Sequence, residues 1–129
     1  MGAGDSQGLG LRMPSAYPKR GEIWLVALDP TVGSEIGKTR PAVVLSNDRN
    51  NEFSETVTVL PVTSKAEKIY PFEAAIPAGP SGLRVDSKTK ADQIRTVAKA
   101  RLRKRLGALD EKHLASVERA ALIHLGMPG

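Results

Sequence analysis

The 129-residue chain contains no cysteine. Disulfides, thiolate metal sites and cysteine nucleophiles are therefore excluded, and nothing in the composition asks for an oxidising compartment. Aromatic residues are sparse: one Trp, two Tyr and two Phe. Histidine is scarcer still, with only His113 and His124. They fall on one helical segment and sit ~16 Å apart along its axis, so they cannot serve as an acid–base pair on a single phosphate. No apolar run reaches the ~18 residues of a membrane span. The opening residues Met1-Gly2-Ala3-Gly4-Asp5 lack the basic and apolar stretches of a signal peptide, and the expected location is the cytoplasm. There is no Gly-x-x-x-x-Gly-Lys loop for nucleotide phosphates, no Gly-x-Ser-x-Gly elbow, and no His/Asp/Glu cluster with metal spacing. No cofactor and no metal is expected. Chemistry, if present, must come from arginine, lysine, hydroxyls and carboxylates.

What the chain does have is positive charge. The net charge is +5 with a pI near 9.7, which favours polyanionic partners. The charge is concentrated: between Arg84 and Arg105 nine basic residues face only Asp86 and Asp92, a net of +7, so the remainder sums to −2. A localised basic surface is what phosphate contacts require, although a solvated lysine-rich face reads the same way.

The apolar pattern organises the chain into one small domain. Residues 1–18, rich in Gly, Ser and Pro, read as a flexible tail, and residues 19–129 as the folded unit. Ile23 to Leu28 is a compact apolar run closed by Asp29-Pro30, a strand followed by a turn. Ala42 to Leu45 is a second strand, ending in turn-prone Ser46-Asn47-Asp48-Arg49-Asn50-Asn51. Thr56 to Thr63 is mostly β-branched and reads as a third, with Pro61 marking an edge or a bulge at its far end. Phe72 to Ile76 is a short fourth strand, and Ser87 to Gln93 and Ile94 to Val97 read as two more. The period then changes. Asp110 is an N-cap, Leu109 and Leu114 form a hydrophobic staple, and Leu114, Val117, Ala121 and Leu125 recur at helical spacing before Gly126 ends the helix. Short strands and one terminal helix predict a mainly β domain, a compact barrel with the helix packed on it.

Arg40 stands out by position. It closes a loop containing Gly33 and Gly37 and directly precedes Pro41, which favours an extended conformation at the mouth of a strand. A surface arginine paired with Glu35 is the plainer alternative.

The motifs around Arg40 resemble those of the MazF/PemK toxins. Arg20-Gly21-Glu22-Ile23-Trp24, then Gly33-Ser34-Glu35 and Arg40-Pro41-Ala42-Val43-Val44-Leu45-Ser46, look like that family's opening. Pro61-Val62-Thr63-Ser64, Pro71-Phe72-Glu73 and Ala91-Asp92-Gln93-Ile94-Arg95-Thr96 look like three later blocks, in the family's order. The resemblance covers about residues 19–126 and implies a homodimeric, SH3-like barrel of the CcdB/PemK kind. The implied function is that of the toxin in a type II toxin–antitoxin pair, held by a MazE-like antitoxin. It would be a metal-independent endoribonuclease cutting single-stranded mRNA at short motifs, leaving a 2′,3′-cyclic phosphate and a 5′-hydroxyl. Carried over residue by residue, the essential arginine falls on Arg40 and the essential threonine on Thr63. Glu35, Gly33 and Ser34 belong to the RNA-contacting loop, and Ser64 and Gln93 join them as contacts. The basic residues near Gln93, namely Lys88, Lys90 and Arg95, are expected to track the RNA backbone. One residue departs from the pattern: position 36, usually glutamine in the family, is Ile36, which cannot donate to a base edge.

This assignment is chemically coherent. Attack by a 2′-hydroxyl builds negative charge on phosphorus, and a planar guanidinium can meet it with two hydrogen bonds. Arginine keeps its proton in proteins, so Arg40 is a charge stabiliser rather than a base. Glu35 either takes the 2′-hydroxyl proton or orients Arg40. The competing readings are a non-enzymatic CcdB-like toxin that binds gyrase, and an SH3-like nucleic-acid-binding module.

Overall fold

The structure, a computed structural model, describes residues 17–129. The expected tail thus lies almost wholly outside the described residues. Seven strands and two α-helices follow in order: β1 (Glu22–Ala27), β2 (Thr39–Val44), α1 (Asp48–Phe53), β3 (Thr56–Thr63), β4 (Ala75–Ile76), β5 (Ser87–Thr89), β6 (Arg95–Ala98), β7 (Leu102–Ala108) and α2 (Glu111–Leu125). One-turn 3-10 segments, Ala91–Gln93 and Lys99–Arg101, precede and follow β6.

The sheet order is β4-β5-β3-β2-β1-β7, and β6 pairs with the first half of β3. The strands β6-β3-β2-β1-β7 therefore form a run whose two outer members are consecutive in sequence. Only the Lys99–Arg101 turn joins them, so the outer strands must come together and the sheet must curl. This is the SH3-like barrel the sequence predicts. The strand β3 changes neighbour along its length. Thr56–Val59 pair with β6, whereas Val62 and Thr63 pair with Thr89 and Lys88 of β5. Pro61, which has no N–H to give, sits at the changeover rather than at an edge.

Two apolar clusters explain why β2 and β3 read as continuous apolar runs and not as alternating ones. Ile23, Val43, Leu60 and Val62 face one way and pack with Val117, Ala120 and Ala121 of α2. Val26, Ala42, Val44, Val57, Val59 and Val97 face the other way, into the barrel, with Trp24 and Leu102 against them. Fully burying a side chain such as Ile23 or Leu60 contributes about 1.5–3 kcal/mol. As expected, Asp110 caps α2 by accepting from the His113 N–H at 2.8 Å, and Gly126 ends it with φ 70°. Those bonds from His113 hold the Asp110 carboxyl below its ordinary pKa. Leu125, expected on the buried face, is 51% exposed.

Other sequence readings need correcting. Ser46–Asn51 contains the start of a helix, α1, because the Asn47 side chain caps it by accepting from Asn50 N–H at 2.8 Å. Only Ala75–Ile76 of the expected fourth strand is extended, and the expected strand 87–93 stops at Thr89 before turning into the first 3-10 segment. Conversely, the basic run up to Arg105 contributes a strand, β7, that its charge concealed.

The turn at residues 79–82 crosses β7 at close range. A Cβ on Gly82, which has φ +85°, would lie 2.1 Å from the backbone oxygen of Leu106. Gly82→Ala should therefore cost about 1–3 kcal/mol, from left-handed backbone strain and a clash that only the main chain can relieve. Thermal unfolding checks this, and an unchanged Tm would mean the turn is free to move away.

Candidate active site

Arg40 does not end the loop but is already part of β2, opposite Val26 of β1. On its other side β2 pairs with β3 as Ala42↔Pro61 and Val43↔Leu60. The pairing ends at Ala42↔Pro61, and the same register continued two residues further would bring Arg40 opposite Thr63. Directly opposed residues on neighbouring strands project from the same face, with Cβ atoms ~4.5–5.5 Å apart. Arg40 donates from Nε to the Gly37 carbonyl at 2.9 Å. Among the described residues no hydrogen bond or ion pair engages its terminal amino groups. Thr63 Oγ1 accepts from the Lys65 N–H at 3.2 Å, which leaves the hydroxyl proton to donate elsewhere. Arg40 also lines a cavity of about 230 Å³ with Val62, Ser64, Leu83, Arg84 and Ser87. Arg84 was not singled out from the sequence, although its place at the head of the +7 segment was a usable signal.

The β1–β2 loop forms a second cluster. The exposed Glu35 accepts from the Val32 N–H at 2.8 Å, and among the described residues no ion pair joins it to Arg40. Glu35 instead lines a cavity of about 250 Å³ with Asp92, Gln93, Ile94 and Arg95. Gln93 accepts from Ile36 N–H at 3.1 Å and donates to Ser34 O at 3.4 Å, while Arg95 donates to Leu28 O at 3.2 Å. These two residues brace the loop that presents Gly33 and Ser34 to solvent, both of which are exposed. Ile36 turns out to pack against the barrel core, so the apolar residue at that position is a plug anchoring the loop.

The expectation that Lys88 tracks RNA needs correction. Its side chain is 9% exposed, and its ammonium lies 2.8 Å from the Glu73 carboxylate, which is itself 1% exposed. A buried, paired ammonium cannot reach a phosphate without leaving a buried carboxylate behind. Lys90, at 25% exposure, is also committed to Glu73 and to Asp92, at 3.2 and 3.7 Å. Burial pushes the Glu73 pKa up, but hydrogen bonds from Lys88, the Tyr70 N–H and Lys90 outweigh it and hold the group below its ordinary value. Within the +7 segment the exposed basic residues are Arg84 and, on β7, Arg103, Lys104 and Arg105, the last paired with Glu22 at 2.7 Å. The two histidines remain on α2, His113 tied to Asp110 and His124 exposed near the C-terminal end. Among the described residues no group of three or more His, Cys, Asp or Glu gathers in one place, and no helix is long and apolar enough to cross a membrane.

Fold and site together define a small SH3-like barrel with a C-terminal helix, an arginine near the start of β2 and a threonine at the end of neighbouring β3. Residues 19–125 match the model of the PemK-like, MazF-like toxins of type II toxin–antitoxin systems, and the chain belongs to that family. It is 45% identical over 114 residues to the endoribonuclease MazF9 of Mycobacterium tuberculosis, a match covering 84% of this chain and 97% of that one. To the endoribonuclease EndoA of Bacillus subtilis it is 37% identical, over 84% and 95% of the two chains. The crystal structure of MazF from Deinococcus radiodurans superposes with a TM-score of 0.75 at 32% identity, covering 86% and 98%. A MazE–MazF crystal structure from Deinococcus radiodurans superposes with a TM-score of 0.66 at 31% identity, over 87% and 98% of the two chains.

Proposed function

We propose that this chain is the toxin of a type II toxin–antitoxin pair and an endoribonuclease that cuts single-stranded mRNA without a metal ion. This reading is supported by the paired stretch Ala42↔Pro61 and Val43↔Leu60, whose continuation leads Arg40 towards Thr63, and by an arginine whose terminal amino groups have no partner among the described residues. In the reaction the ribose 2′-oxygen bonds to phosphorus and the bond to the 5′-oxygen breaks, leaving a 2′,3′-cyclic phosphate and a 5′-hydroxyl. Negative charge gathers on the non-bridging oxygens in between. The Arg40 fork and the Thr63 hydroxyl donate to those oxygens, and one preorganised donor of this kind contributes about 2.7–4 kcal/mol. Glu35 is the exposed carboxylate of the adjoining loop and takes the 2′-hydroxyl proton, directly or through water, while the departing 5′-oxygen takes a proton from solvent water to become the 5′-hydroxyl. Since Glu35 is bonded within its own loop, orienting Arg40 by a direct ion pair is not its role.

Gly33, Ser34 and Ser64 contact the RNA. Gln93 and Arg95 act by holding the β1–β2 loop as well as by facing the groove. The protein works in the cytoplasm as a homodimer, and a MazE-like antitoxin with an acidic segment suits the basic face. Relatives named as endoribonucleases favour this reading over a gyrase-binding, CcdB-like toxin or a binding module.

The test is a long RNA incubated with the protein in EDTA, followed by mapping of the ends. Discrete cuts carrying 5′-hydroxyl termini are expected. RNA left whole, or cut only after divalent metal is added, would overturn the reading.

A further inference from the structure

The sequence motifs leave unexplained why a basic protein with an RNA-facing surface buries a lysine. Glu73 and Lys88 lie in contact, nearly inaccessible to solvent. Two of their remaining bonds go to one place, the loop between β3 and β4. Glu73 Oε1 accepts the Tyr70 N–H at 3.0 Å, and Lys88 Nζ donates to the Lys68 carbonyl at 2.6 Å. Lys90 completes the carboxylate's shell at 3.2 Å. Thus one buried charge pair grips the loop at two points two residues apart. Buried ion pairs are a weak source of stability, because desolvation cancels most of their attraction. What this one provides is a fixed loop geometry.

The fixed residue is Tyr70. Its ring stacks parallel on Phe72, centroids 5.7 Å apart and planes 6° from parallel, yet the residue remains 43% exposed. The ammonium groups of Lys68 and Lys88 lie 5.2 and 5.6 Å from its centroid. The exposed part of this braced ring, beside the solvent-facing Lys68, suits a nucleotide, offering aromatic surface to the base and positive charge to its phosphate. The position is also telling. Lys88 is the cross-strand partner of Thr63, so the Tyr70 platform is one side chain away from the threonine of the site.

We propose that the Glu73–Lys88 pair is a positioning device that holds Tyr70 as the stacking platform for a single-stranded RNA base next to the scissile phosphate, and so helps choose the cleavage site. The proposal rests on the ribonuclease reading above. Stacking alone tolerates any base. A platform fixed relative to Thr63 nevertheless decides which nucleotide is held there and how firmly.

The experiment compares Tyr70→Ala, Tyr70→Phe and the double replacement Glu73→Met/Lys88→Met on a long RNA, reading the cleavage map, KM, kcat and Tm. Tyr70→Ala should raise KM roughly 5- to 100-fold and redistribute the cuts, while Tyr70→Phe, which keeps the π-face, should stay within about twofold of the parent. The double replacement removes both charges together, which buried pairs often tolerate, so Tm should hold while the cleavage map moves as in Tyr70→Ala. If the double variant does not fold, Glu73→Gln, which keeps the side chain's shape, decides in its place by the same shift of the map. The proposal is overturned if Tyr70→Ala retains the parental KM and map. It is overturned equally if Tyr70→Phe loses as much as Tyr70→Ala, or if the released-loop variant folds and cuts as the parent does. Parent protein that leaves RNA intact would instead refute the ribonuclease reading itself.

Discussion

Arg40→Ala should lower the rate of RNA cleavage by at least 10²–10³-fold while leaving the barrel folded. The rate loss follows from removing the guanidinium that, in the proposed mechanism, donates to the scissile phosphate, since a preorganised donor to a charged transition state contributes on this scale. The stability change should be small, because the side chain is half-buried and makes one hydrogen bond to its own loop, at Gly37 O. Arg40→Lys should recover little, since an ammonium keeps the charge but cannot present two parallel N–H groups to two phosphorane oxygens. Single-turnover cleavage of an oligoribonucleotide, with Tm measured alongside, checks both halves. Retention of more than a tenth of the parental rate in Arg40→Ala would place the catalytic charge elsewhere, with Arg84 in the same cavity the first residue to examine.

Lys88→Met, in contrast to the paired replacement, should destabilise the protein by about 3 kcal/mol, near the lower end for breaking a buried ion pair. Lys90 remains beside Glu73 and limits the damage. The deficit should depend on pH, and its sign follows from the Glu73 carboxyl. In the parent its folded pKa lies below the ordinary value despite burial, so pairing stabilises the fold above about pH 4.3 and that contribution fades as pH falls through the lower folded value. Without Lys88 the opposing effect of burial is less restrained and the folded pKa moves up. The variant should therefore be most impaired near neutral pH, and its deficit should shrink as pH falls towards the parent's lowered folded value, below which the carboxyl is protonated in both. Urea unfolding at pH 7 and pH 4 measures this. A deficit equal at both values would show that the loss comes from packing of the lysine stem rather than from its charge.

The sequence was most informative where local chemistry acts alone. The α2 boundaries were legible because Asp110 caps its own helix and Gly126 alone takes the left-handed turn that ends it, neither depending on anything distant. The cores of β1, β2 and β3 were legible because side chains buried on both faces leave long apolar runs. Arg40 and Thr63 were singled out through the motifs they share with a known family. Segment β7 was not. Its Arg103-Lys104-Arg105 stretch carries no apolar alternation and becomes a strand only because β1 offers it a partner. Lys88 was misjudged for the opposite reason, since nothing in its neighbours announces that Glu73, 15 residues earlier, lies beneath it.

The residue string by itself therefore determined the class of fold, the terminal helix, the basic character and the residue types available for chemistry, all of which depend on composition, period and nearest neighbours. Which charges reach solvent, which brace a loop, and which two side chains face each other across β2 and β3 were decided only by tertiary structure. Those outcomes depend on strand register and burial, and both are set by contacts between residues far apart in the chain.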